Sequence, residues 1–211
     1  MTEPFASVVG PLFQHVVDLL GRIDRGEAGS LDDERRGIVA AVEEADRRAA
    51  GLAQVAQGYQ FSRHAIIYWI DEVLTDSRWA HAGEWRQRIL EWDFYRDRIR
   101  ADAFYERLDR AERLDSVDPL EVFLLCLTLG FRGRLADDPD ELRRVVGRVY
   151  GRVAAGSTQA DRFLADEAPR GKPIRPLPGK STLLAACILV SLSVLFTLAC
   201  FVLAVPPPLW D

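Results

Sequence analysis

The chain has 211 residues, of which 48% are hydrophobic and 28% charged, with a formal net charge of −5. That is enough for one ordinary domain with a sizeable core. Residues 1–169 carry 23 Lys+Arg against 31 Asp+Glu, and so acidic a domain argues against nucleic acid as a partner. The three cysteines form no disulfide framework, because Cys187 and Cys200 fall in an apolar tail and Cys126 in another apolar run, where a buried thiol is expected.

Helical periodicity starts at once. Phe5, Val8, Val9, Leu12, Phe13, Val16, Val17 and Leu20 recur at the i, i+3, i+4, i+7 spacing of one buried face. Ser30 with Asp33 reads as a capped helix start. A long charged helix is expected from Leu31 to about Gly58, with Ile38, Val39, Val42, Ala45, Ala49 and Leu52 on one side, and Gly51 and Gly58 as the points where it bends or ends. Phe61 to Thr75 follows as a more apolar helix, then a loop over Asp76 to Gly83 and a helix from Glu84 to about Trp92.

Ala101 to Glu112 presents Phe104, Tyr105, Leu108 and Ala111 as the next apolar face. Asp118-Pro119 opens a helix that runs to Gly130 and is apolar nearly all round, which predicts a central position. Asp138, Pro139 and Glu141 start the last helix before the tail, with Leu142, Val145, Val146, Val149 and Val153 as its stripe. No segment shows sustained period-two alternation. The expected class is all-α.

Beyond residue 167 the composition changes. Residues 168–182 hold APRGKPIRPLPGK, a basic, proline-rich spacer with Arg170, Lys172, Arg175 and Lys180. From Leu183 to Val205 run 23 residues without a charge, about 34 Å of helix, enough to cross a bilayer. Four basic residues precede this run and only Asp211 follows it. The bias places residues 1–167 in the cytoplasm and residues 206–211, Trp210 among them, on the far side. Within the span, Ser193 and Thr197 have the small-x-x-x-small spacing of a helix contact, which suggests a weak homodimer through the membrane with the domain alone largely monomeric.

Little of this looks catalytic. His15, His64 and His81 have no metal-ligand spacing, so neither a metal nor a cofactor is expected. Gly179-Lys180-Ser181-Thr182 resembles the tail of a phosphate-binding loop, but Ile174 stands where its first glycine belongs. Two features are sharper. Trp69, Trp79, Trp85, Trp92, Phe94 and Tyr95 lie within 27 residues, as core packing or as a binding surface. Asp71 and Glu72 interrupt an apolar helix and are expected either to make a buried salt link to an arginine or to line a docking groove.

Three segments then share one resemblance. FSRHAIIYWIDEVLTDSRW (Phe61 to Trp79), LEVFLLCLTLGFRGR (Leu120 to Arg134) and AFYERL (Ala103 to Leu108) resemble the DotU family, the TssL subunit of type VI secretion systems and its type IV relative. The chain departs from that pattern at Trp92-Asp93-Phe94 and at Ala101-Asp102-Ala103. The resemblance implies a cytoplasmic bundle of about seven or eight helices with one C-terminal span in the bacterial inner membrane. It implies a scaffold that docks the IcmF-type (TssM-like) membrane subunit and baseplate components, with Asp71, Glu72 and Trp79 at the partner-binding cleft and no catalytic residue. A membrane-anchored enzyme or regulator using the same acidic, aromatic-rich cleft is the alternative.

Overall fold

The computed structural model describes residues 1–165, with side chains to residue 156. The spacer 168–182, the span from Leu183 to Val205 and the tail 206–211 lie outside the described residues. The chain divides into Met1–Asp166 and Glu167–Asp211, and the helices described belong to the first unit. Every regular element among the described residues is helical, and none of these helices is long and apolar enough to cross a membrane.

Helix α1 (Glu3–Asp24) buries Phe5, Val9, Leu12, Val16, Leu19 and Ile23, which alternate steps of four and three residues and so form one buried seam, and the helix packs on α2 (Leu31–Ala50) and on α3 (Ala53–Thr75). The expected stripe drifted off this seam at its end. Val17 is exposed and Leu20 half-buried, while Leu19 and Ile23 take the core positions. Pro11 sits inside α1 and cannot donate to the Ser7 carbonyl; the Arg48 guanidinium approaches that oxygen at 3.5 Å instead. Ser30 caps α2 as expected, its Oγ accepting from the Asp33 N–H at 3.3 Å.

The expected helix from Leu31 ends at Gly51, one of the two points expected for it, and α3 begins well before Phe61. Gly58 neither bends nor ends a helix. A Cβ there would lie 3.0 Å from Phe5 Cε2 and 3.3 Å from Pro119 Cγ, so glycine lets two neighbouring helices approach α3 closely.

α3 is the central element. Ala65, Ile66, Ile67, Tyr68, Trp69, Ile70 and Asp71 are consecutive and all buried, because α1, α2, α4 (Ala82–Gln87), α5 (Leu90–Tyr95), α6 (Arg100–Ala111) and α7 (Asp118–Thr128) all pack on α3. The central place expected for α7 therefore belongs to α3. α7 buries Leu120, Val122, Phe123 and Cys126 against α3 and α6, but Leu125 is 37% exposed. With Leu124 it lines an open apolar groove of about 960 Å³ beside Leu142, Val146 and Tyr150 of α8 (Pro139–Ala165). Cys126 is buried as expected, and burial pushes its thiol pKa up.

The single helix expected from Glu84 to Trp92 is two, α4 and α5, separated where Ile89 adopts an extended backbone (φ −64°, ψ 148°). α6 matches its expected face, with Phe104, Tyr105, Leu108 and Ala111 buried. Phe104 stacks on Phe131 at 4.0 Å and meets Phe123 edge-on at 5.0 Å, which fixes the chain reversal after α7. A 3-10 turn (Gly133–Leu135) leads from there to α8.

Candidate functional site

Asp71 and Glu72 are adjacent on α3 and point about 100° apart, and the fold puts them to different uses. The Asp71 side chain is fully buried. Its Oδ1 accepts from Trp85 Nε1 at 3.1 Å and from the Leu90 N–H at 2.8 Å, and its Oδ2 accepts from the Glu91 N–H at 2.7 Å. Leu90 and Glu91 are the first residues of α5, whose N–H groups have no partner within their own helix. Asp71 thus caps α5 from a different helix. The extended turn at Ile89 is what aims those N–H groups at it.

The buried salt link to arginine is therefore replaced by N–H donors, and the carboxylate is out of reach of a docking protein. Burial pushes the Asp71 pKa up to about 6, against the pull of those donors and of the Arg100 charge. Trp79 is also interior, 7% exposed, with its ring 6.3 Å from Trp85 and 5.4 Å from His81.

Glu72 faces the other way and is half-buried. Its Oε1 accepts from the N–H groups of Arg132 at 2.6 Å and Gly133 at 2.9 Å, pinning the 3-10 turn to the end of α3. Gly133 needs its small size, since φ is +52° and a Cβ would lie 2.9 Å from the Ala101 carbonyl. Glu72 lines a cleft of about 370 Å³ with Asp76, Arg98, Arg100 and Arg132. Asp76 and Arg132 also line an adjoining hollow of about 420 Å³ that reaches Asp24, Val73 and Arg78. Acidic and basic side chains meet at its rim, an arrangement suited to a charged protein surface.

The aromatic cluster is mostly core. Trp69 donates to the Leu129 carbonyl at 3.2 Å, Trp85 to Asp71, and only Trp92 among these rings presents a large exposed face, at 44%. Arg98 of the cleft sits over Trp92, 5.8 Å from the ring centre. Ile99, 57% exposed, adjoins them.

Three features escaped the sequence reading. Arg98 and Arg132 carried no signal beyond their charge. Glu91, with a fully buried side chain, is the third: Oε1 accepts from the N–H groups of Ile99 at 2.6 Å and Arg100 at 2.9 Å, and burial pushes its pKa up to about 7. The only hint was an acid between Leu90 and Trp92.

Between α2, α3 and α5, Arg63 makes a two-pronged contact with Asp46 at 2.8 and 3.0 Å and donates to the Tyr95 hydroxyl at 2.8 Å. His64 stacks on Tyr95 at 4.1 Å, and burial lowers its pKa to about 4, so it is neutral at pH 7. Among the described residues no group of three or more His, Cys, Asp or Glu could hold a metal ion.

The sequence model of a family described as "Type VI secretion system protein DotU" matches residues 4–205. The chain shares its fold with the cytoplasmic domain of TssL from Acinetobacter baumannii, at TM-score 0.62 and 19% identity over 71% of this chain and 98% of that one. The SciP/TssL crystal structure from enteroaggregative Escherichia coli 042 aligns at TM-score 0.59 and 17% identity, over 85% of this chain and 99% of that one. No curated protein matches significantly.

Proposed function

Because the chain belongs to the DotU family of type VI secretion system proteins, we propose that it is an inner-membrane scaffold subunit of that system's membrane complex. Its helical domain lies in the cytoplasm and docks an IcmF-type subunit and baseplate components through the cleft at the end of α3. The observation that carries this reading is the extent of the family match, which runs to residue 205 and so takes in the apolar run Leu183–Val205 together with the helical domain. In this reading the run is a single-pass anchor, the basic spacer lies at the cytoplasmic headgroups, and two copies touch weakly through Ser193 and Thr197. The cleft suits docking because its charged rim and the exposed Trp92 combine the two features that anchor protein interfaces.

The test is co-isolation of the full chain from detergent-solubilised membranes of its native host. IcmF-type and baseplate subunits are expected with it. Their absence, with the chain intact and membrane-bound, would overturn the reading.

Topology gives an independent prediction. In intact spheroplasts a cysteine placed at Leu209 should react with an impermeant thiol reagent, while added protease leaves residues 1–180 uncut. The reverse pattern would place the helical domain outside.

A further inference from the structure

The face formed by α7 and α8 is left uncovered. Leu124 and Leu125 of α7 line its groove of about 960 Å³ with Leu142, Val146 and Tyr150 of α8. Among the described residues Tyr150 is the most exposed large apolar side chain, at 64%, and Leu125 is exposed as well. Apolar surface gathered along one open groove marks an interaction site.

The groove carries one acid and one base, and they lie at opposite ends. A Cβ on Gly156 of α8 would fall 2.4 Å from Val117 Cγ1, just before α7 begins, so the later turns of α8 lie beside the start of α7 and the two helices run antiparallel. Glu121, in the first turn of α7, therefore stands at the Tyr150 end, and Arg143, in an early turn of α8, stands at the Thr128 end. Both charges are open to a partner. Glu121 meets the Met1 amino group through Oε2 alone, and Arg143 pairs only with Asp140 one turn earlier, both about three-quarters exposed, a kind of ion pair that holds its members weakly.

A matching surface must be apolar along its middle, with a base over Glu121 and an acid over Arg143. The same face turned end for end meets all three conditions. We propose that this groove is the contact surface for a second copy of the chain, the two faces packing antiparallel about a two-fold axis that crosses the groove near Gly147. The like-ended arrangement would set Arg143 against Arg143, so charge selects the antiparallel one. Gly147 is at the middle of the groove, between Leu142 and Val153, and a Cβ there would meet nothing within 4 Å. That leaves a hollow at the crossing. Tyr150, just past the centre, enters the other copy's groove on the far side of the axis, over its Val146.

The size of the face sets where this contact forms. α7 has 11 residues, about 16 Å of helix, and two helices side by side over that length bury on the order of 700 Å² between two copies, short of the roughly 1,200 Å² of a stable interface. Free in solution the domain stays monomeric. Confinement to a membrane raises the effective concentration of one copy for another without any new contact, so the pairing belongs to the anchored chain, and in this respect alone it rests on the single-pass reading above.

The test is disulfide crosslinking of the full chain in native membranes, with Cys187→Ala and Cys200→Ala removing the thiols of the apolar tail and Cys126 buried. Gly147→Cys, next to the axis, should give at least about ten times more crosslinked dimer than Val17→Cys, which is exposed on α1 away from the groove. Adding Tyr150→Ala or Arg143→Glu should each lower that yield about tenfold. Both side chains are exposed, so both variants should melt like wild type. A Gly147→Cys yield no higher than that of Val17→Cys would overturn the proposal. So would a yield unchanged by Tyr150→Ala, or a Gly147→Cys crosslink to a different protein, which would give the groove to that partner. Resistance of the chain to carbonate extraction, read on the same membranes, tests the anchor by itself, and co-isolation tests the cleft, so each reading fails separately.

Discussion

Asp71→Ala should destabilise the helical domain by about 3 to 4 kcal/mol, the largest effect expected of a single side chain in the region of the cleft. The carboxylate serves three donors at once, Trp85 Nε1 and the N–H groups of Leu90 and Glu91. Each buried donor left without a partner costs roughly 1 to 3 kcal/mol, reduced where water enters the space left by the carboxyl. α5 has only six residues and no side-chain cap of its own, so it should fray from Leu90 and carry Glu91 with it. Asp71→Asn should fall between, because its amide oxygen can still accept while its NH2 group faces an N–H. Urea melts of the full chain in detergent would measure both. A melt of Asp71→Ala within about 1 kcal/mol of wild type would show that α5 holds its place without the cap.

That expectation reverses what Asp71 suggests in sequence. Two acids after Ile66-Ile67-Tyr68-Trp69-Ile70 announce that something must satisfy them, and the helical turn dictates that they cannot share one environment. What could not be read is the identity of the donors. The two backbone donors lie 19 and 20 residues further on, and they are free to reach Asp71 only because the chain breaks helix at Ile89, where neither glycine nor proline marks the break.

Gly58 has the same lesson in the fold. In sequence it resembles a helix breaker beside Gly51, and only the approach of Phe5 and Pro119, far away along the chain, makes its missing Cβ a packing requirement. By contrast, the α6 face, the Ser30 cap and the buried Cys126 were legible, because each depends on residues a few positions apart or on plain hydrophobicity. α7 was readable as a helix but not as one with an open side. Hydrophobicity all round a helix reports what it would bury, and the packing of α3, α6 and α8 decides how much of it is covered.

Glu72 should behave in the opposite way to its neighbour, with partner binding lost and the fold kept. Its two acceptor bonds go to the N–H groups of Arg132 and Gly133 at the lip of the cleft, where water can replace the carboxylate, so Glu72→Ala should cost about 1 kcal/mol of stability. The turn it pins carries Arg132 into the cleft opposite Arg98 and Arg100. Freed from Glu72, that turn no longer presents the rim in one geometry, and an interface that needs it rigid must supply the ordering itself. Co-isolation of IcmF-type and baseplate subunits should drop at least about tenfold, equivalent to about 1.4 kcal/mol. Glu72→Lys should be worse than alanine, since it sets a cation among three arginines and reverses the charge offered to a partner. The informative measurement is the pair of melt and co-isolation on the same preparations. Wild-type recovery of both partners by a cooperatively melting Glu72→Lys chain would remove the cleft from the docking surface, whereas loss of partners with an intact melt assigns docking to the half-buried acid and leaves capping to the buried one.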